Sequence, residues 1–101
     1  MPQRQSSENI ESSVDVLDIQ IPMYHVILYN DDYTTFEFVI GVLITVFRKS
    51  EQDAVRITRS VHERGKGIAG TYPLEVAQMK VSQVHQMAEN AGFPLRAGIE
   101  S

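Results

Sequence analysis

Apolar positions along the chain change period from one stretch to the next, and the changes outline six elements. Met23–Tyr29 is apolar on both alternating faces and rich in β-branched and aromatic residues, which predicts a strand. In the next run, Val39, Ile40, Val42, Leu43, Ile44, Val46 and Phe47 wrap more than one face of a helix. That helix is expected to be well buried and to end near Phe47. Thr34-Thr35-Phe36-Glu37 has the form of a capping box, with Thr34 as the N-cap. Ser50-Glu51-Gln52-Asp53 repeats the capping pattern, and acids in a first turn suit the helix dipole. The second helix should bury Ala54, Ile57, Thr58 and Val61 and stop at Gly65, a C-cap residue. Gly67–Tyr72 predicts a short strand. Pro73 suits the start of a helix over Leu74–Ala91, whose inner stripe is Ala77, Val81, Val84 and Ala88. Gly92 ends it, and Leu95–Ile99 predicts the last strand. The order β-α-α-β-α-β at this size predicts an α+β fold: a small three-stranded antiparallel sheet packed against three helices on one side.

The first residues do not fit this pattern. Residues 1–22 are polar and acidic with isolated aliphatics, so they bury too little to offset their ordering entropy. A flexible N-terminal arm is expected over 1–22, with the core over 23–101. A second reading keeps Val14–Ile21 as a short recognition segment that orders on a partner. Ile21-Pro22 sets the boundary, because the residue before proline is pushed toward extended backbone.

Composition narrows the function. The 101 residues carry a net charge of −4 and include no cysteine. An acidic chain lacks the basic face that nucleic acid or an anionic membrane demands. Without cysteine there is no disulfide framework and no thiolate metal site. No apolar leader precedes the core, and no apolar run is long enough to span a bilayer. A cytoplasmic protein, monomeric and without cofactor or metal, is expected.

The candidate chemistry lies where the first strand gives way to the first helix. Asn30-Asp31-Asp32 joins two apolar runs without a basic neighbour. These residues are good turn formers, so a solvated turn explains them. They are also a cluster of acceptors able to receive a cation. His62, four residues beyond Thr58 on the inner side of the second helix, is the other candidate; a core histidine is the simpler reading. Catalysis would pair Asp32 with His62 as acid and base, but no strained nucleophile, phosphate loop or metal quartet accompanies them. Binding fits better. Asn carbonyl, carboxylate and neutral imidazole all accept hydrogen bonds, and an α-ammonium donates three. Thr34, Phe36, Val39, Thr58 and Val61 could line an apolar pocket beside it.

Tyr24–Thr34, Glu37-Phe38-Val39, Ala54, Val61-His62, Gly65-Lys66, Glu75-Val76-Ala77, Lys80-Val81 and Phe93-Pro94-Leu95 together resemble ClpS. Members of that family are adaptors that deliver N-degron substrates to a Clp AAA+ unfoldase and its protease. The resemblance covers about residues 23–101. It implies the small ClpS fold, related to the C-terminal domain of a ribosomal stalk protein, and a non-enzymatic adaptor. It also implies recognition of proteins beginning with Leu, Phe, Tyr or Trp. Asn30, Asp32 and His62 should hold the α-amino group. Asp31, Thr34, Phe36, Val39, Thr58, Val61 and Leu95 should surround the first side chain. Glu75 and Lys80 match positions that touch the N-domain of a ClpA-like or ClpC-like unfoldase, although a solvated helix pair would also explain them. The arm matches the segment the unfoldase engages during hand-off. The alternative is an unfoldase-binding modulator of the same fold without N-terminal residue specificity. Four departures bear on the site. Phe36 and Thr58 stand where many members have Met, Thr35 replaces the usual Pro, and Arg96 replaces an apolar residue. Gln78-Met79 departs from the family's Glu-Thr near the unfoldase positions.

Overall fold

The structure is a computed structural model that describes residues 20–101. The expected arm lies outside the described residues except for Gln20–Pro22. Six elements follow in the expected order: β1 (Met23–Tyr29), α1 (Phe36–Thr45), α2 (Glu51–Arg64), β2 (Lys66–Pro73), α3 (Leu74–Ala91) and β3 (Arg96–Glu100). Both outer strands run antiparallel to β1, giving the sheet order β2-β1-β3. Val26 and Leu28 project into the main core, together with Val42, Leu43, Ala77, Val84 and Ala88. Opposite Val26 stand Gly70 and Ile99, and opposite Leu28 stand Gly67 and Ala97. A register shift between Val26 and Ile27 offsets β2 by one residue.

Helix α3 packs on all three strands, α1 on α2, and α2 on β2. The α2–β2 approach is close enough to require glycine. A Cβ on Gly67 would come 2.9 Å from Val61 Cγ2, inside ordinary van der Waals contact.

β2 extends one residue further at each end than expected and β3 one residue beyond Ile99; three other boundaries differ for a local reason. The N-cap of α1 is Thr35, whose side chain accepts from the Phe38 N–H at 3.1 Å. Thr34 does not cap, because its hydroxyl donates to Asp31 Oδ2 at 2.7 Å. Helix α1 stops at Thr45 rather than near Phe47. Arg48 takes a left-handed φ of 58°, and the Lys49 N–H reaches back to Leu43 O at 3.0 Å. A left-handed residue after a helix normally advertises itself as glycine; an arginine there hid the stop. Finally, Leu95 precedes β3 and is buried in the core instead of pairing within the strand. The stops at Gly65 and Gly92 are as expected, both left-handed, with φ of 90° and 78°.

Candidate functional site

Asp31 builds the turn after β1. Its Oδ1 accepts from the backbone N–H of Tyr33 at 2.8 Å and of Thr34 at 2.7 Å, while Oδ2 accepts from the Thr34 hydroxyl. Partial burial pushes the carboxyl pKa up, but the Thr34 hydroxyl and the two N–H groups outweigh it, leaving a value below the usual 3.8. With the folded value depressed, the charged turn stabilises the fold fully above about pH 4, and this is lost as pH falls through the lower folded value. Asp31→Ala removes all three bonds and should cost about 2 kcal/mol near neutrality. Urea unfolding at pH 7 and below pH 3 checks this: the gap between variant and parent should shrink in acid.

The turn is then tied to α2. The Asn30 N–H donates to Gly65 O at 2.9 Å, and the Gly65 N–H donates to Val61 O. Left-handed Gly65 therefore presents its carbonyl to the end of β1, one turn from His62 along α2. On the other side, the His62 ring meets the Phe36 ring edge-on, with centroids 5.6 Å apart. The core-histidine reading is overturned, because His62 is exposed. Asn30 and Asp32 are exposed too, and neither side chain has a polar partner among the described residues. The Asn30–Gly65 bond thus brings the turn to the end of α2, and the ring contact sets His62 against the start of α1. Among the described residues no group of three His, Asp or Glu could hold a metal ion.

The residues expected to line an apolar pocket are covered. Val39, Thr58, Val61 and Leu95 are only 2–7% exposed, while Phe36, at the start of α1, is 38% exposed. The Thr58 hydroxyl donates to Ala54 O at 2.7 Å within its own helix, so its proton is not free for a ligand hydroxyl.

Glu75 and Lys80 do not pair. The Lys80 ammonium donates to Val46 O at 2.8 Å and lies 5.6 Å from the Tyr72 ring centroid. It thus satisfies a carbonyl at the end of α1, which corrects the solvated-pair reading. Glu75 stays exposed at the start of α3 among Leu74, Val76 and Met79, all exposed large apolar side chains.

Sequence reasoning missed several contacts. The Asn30–Gly65 bond, the Phe36–His62 ring contact and the His85 Nε2 that accepts the Ala97 N–H at 3.0 Å join residues far apart in the chain. No local pattern announces them.

Comparison with known proteins supplies the family. The family model described as "ATP-dependent Clp protease adaptor protein ClpS" matches residues 20–98. A ClpS adapter protein of Desulforapulum autotrophicum is 48% identical over 93 residues, covering 92% of this chain and 89% of the relative. One from Desulfatibacillum aliphaticivorans is 55% identical over 78 residues, covering 77% of this chain and 75% of the relative. Among solved structures, Agrobacterium tumefaciens ClpS2 bound to L-phenylalaninamide superposes with a TM-score of 0.77. It is 36% identical and covers 80% of this chain and 98% of its own. The chain belongs to the ClpS family, the non-catalytic adaptor proteins of the ATP-dependent Clp protease.

Proposed function

We propose that the chain recognises proteins whose first residue is Leu, Phe, Tyr or Trp and delivers them to a Clp AAA+ unfoldase in the cytoplasm. The observation that carries this reading is the corner at the end of β1. There, Asn30 and Asp32, whose side chains have no polar partner among the described residues, lie on a turn tied to the end of α2, and exposed His62 is held against Phe36. The relative's ligand, L-phenylalaninamide, is chemically an amino-terminal Phe with a free amine. In this chain Asn30, Asp32 and neutral His62 accept from the ammonium. The first side chain enters between α1 and α2, against Val39, Thr58, Val61 and Leu95, with Thr34 held at the rim by Asp31. Because those wall residues are covered, Phe36 swings off His62 to admit the side chain. A rigid ring makes that gate stiffer than the flexible thioether of Met.

The energetics require both halves. Burying a Leu or Phe side chain gives about 1.5–3 kcal/mol. Each charged hydrogen bond adds about 1.5–3 kcal/mol at best. Neither alone reaches the roughly −8 kcal/mol of micromolar binding after association costs are met.

For the unfoldase N-domain, ClpA-like or ClpC-like, Glu75 with exposed Leu74, Val76 and Met79 offers a polar-rimmed apolar surface. Lys80 supports that surface by holding the end of α1. A reporter begun with Leu should be degraded by a Clp protease only when the adaptor is added, whereas the same reporter begun with Gly should persist. Equal degradation of both would refute N-terminal selectivity.

A further inference from the structure

A concave surface lies between α2 and β2. It is a groove of about 390 Å³ lined by Ile27, Ile57 and Ile68, with Arg56, Ser60, Arg64, Lys66 and one acid, Glu100, around it. Its floor is unusual. Ile27 is 3% exposed yet lies outside the main core cluster, and neighbouring Ile68 is 50% exposed. Arg56, Ser60 and Arg64 recur every four residues along α2, so they share one face. Two of the three cations have partners: Arg56 is 3.4 Å from Asp53, and Lys66 is 2.8 Å from Glu100. Arg64 and the Ser60 hydroxyl have no polar partner among the described residues. Counting Asp53 and Glu100, the groove keeps an excess positive charge on a chain whose net charge is −4.

We propose that this groove is the docking site of the chain's own segment Glu11–Ile19. That segment reads Glu-Ser-Ser-Val-Asp-Val-Leu-Asp-Ile. Three acids alternate with four aliphatics, and no base occurs between Arg4 and the core. The combination matches a cationic rim above an isoleucine floor. Reach is sufficient. Met23 starts β1, and Ile27 lies four residues along it, about 13 Å away at strand spacing. Five residues reach about 17 Å at full extension, so the segment is long enough to return over that distance. Weak contacts suffice, because a short tether gives an effective concentration on the order of millimolar. Surface ion pairs are individually small and screened by salt, so the segment leaves readily when something else engages it.

The chain has no native cysteine, so Ser13→Cys gives a single site for a spin label in the full-length protein. Methyl signals of Ile27, Ile57 and Ile68 should broaden several-fold more than those of Ile44 and Ile99. Asp15→Lys with Asp18→Lys, which leaves the core untouched, should remove that preference, as should Arg56→Glu with Arg64→Glu. Uniform broadening of all isoleucines, or a preference indifferent to either charge reversal, overturns the proposal. Broadening that grows with protein concentration assigns the segment to a neighbouring copy and overturns it too.

Discussion

Asn30→Ala combined with Asp32→Ala should weaken binding of a Phe-initiated peptide by at least about 100-fold, equivalent to about 3 kcal/mol. Both side chains are exposed and have no polar partner among the described residues, so their loss takes little from the fold. What is lost is two charge-assisted acceptors for an ammonium already stripped of water. Circular dichroism should show an unchanged melting transition, and titration calorimetry should show the collapse in affinity. The alternative, a modulator of the unfoldase without N-terminal specificity, expects this double variant to bind its partner as the parent does. Measuring unfoldase N-domain binding with the same variant separates the two, since Glu75 and its apolar neighbours are untouched.

Leu43→Ala should have the largest effect on stability, about 2–5 kcal/mol. Leu43 is fully buried and lies in the core cluster with Val26, Leu28 and Val84. Its carbonyl also accepts the Lys49 N–H that closes α1. A domain of this size has only about 4–12 kcal/mol in total, so the variant should be partly unfolded on mild warming. Chemical denaturation reads the loss as a lower midpoint with an unchanged slope. Affinity per folded molecule should change less than it does for the turn variant, because Leu43 is fully buried and supplies no acceptor for the ammonium. A loss under about 1 kcal/mol would mean the helix can collapse onto the gap.

Most of the fold was legible in local patterns. The apolar periods located all six elements, and Gly65 and Gly92 marked two helix ends, because glycine in a left-handed C-cap leaves a visible trace. Where the chain used another residue for that conformation, at Arg48, the boundary was misplaced by two positions. Thr34 and Thr35 were equally good caps by type. Asp31 decided between them by taking the Thr34 hydroxyl, a choice that rests on three-dimensional geometry. The site was legible as residue types: Asn30, Asp32 and His62 stand out as acceptors. The tertiary contacts beside them were not: the Asn30–Gly65 bond and the Phe36–His62 contact join segments about thirty residues apart. Burial was the hardest quantity. Helical spacing put His62 on the inner side of α2, yet it lies past the last core residue, Val61, where the helix end leaves the core.

Lys80 shows why charged pairs are poor guides from sequence alone. Opposite charges on one helix invite the reading of a surface pair, but five residues apart the two do not face each other, and the ammonium finds its partner in Val46 O, near the end of α1. Helix ends leave such groups exposed, and a lysine from a neighbouring helix satisfies one of them.

The most direct measurement is fluorescence anisotropy with labelled peptides alike except at the first residue and its amine. Phe, Tyr, Trp and Leu with free amines should bind in the micromolar range or tighter. Their N-acetylated forms, and the Gly-initiated peptide, should show no saturable binding. An acetylated Phe peptide that binds as tightly as its free counterpart would contradict recognition of the amino terminus by Asn30, Asp32 and His62.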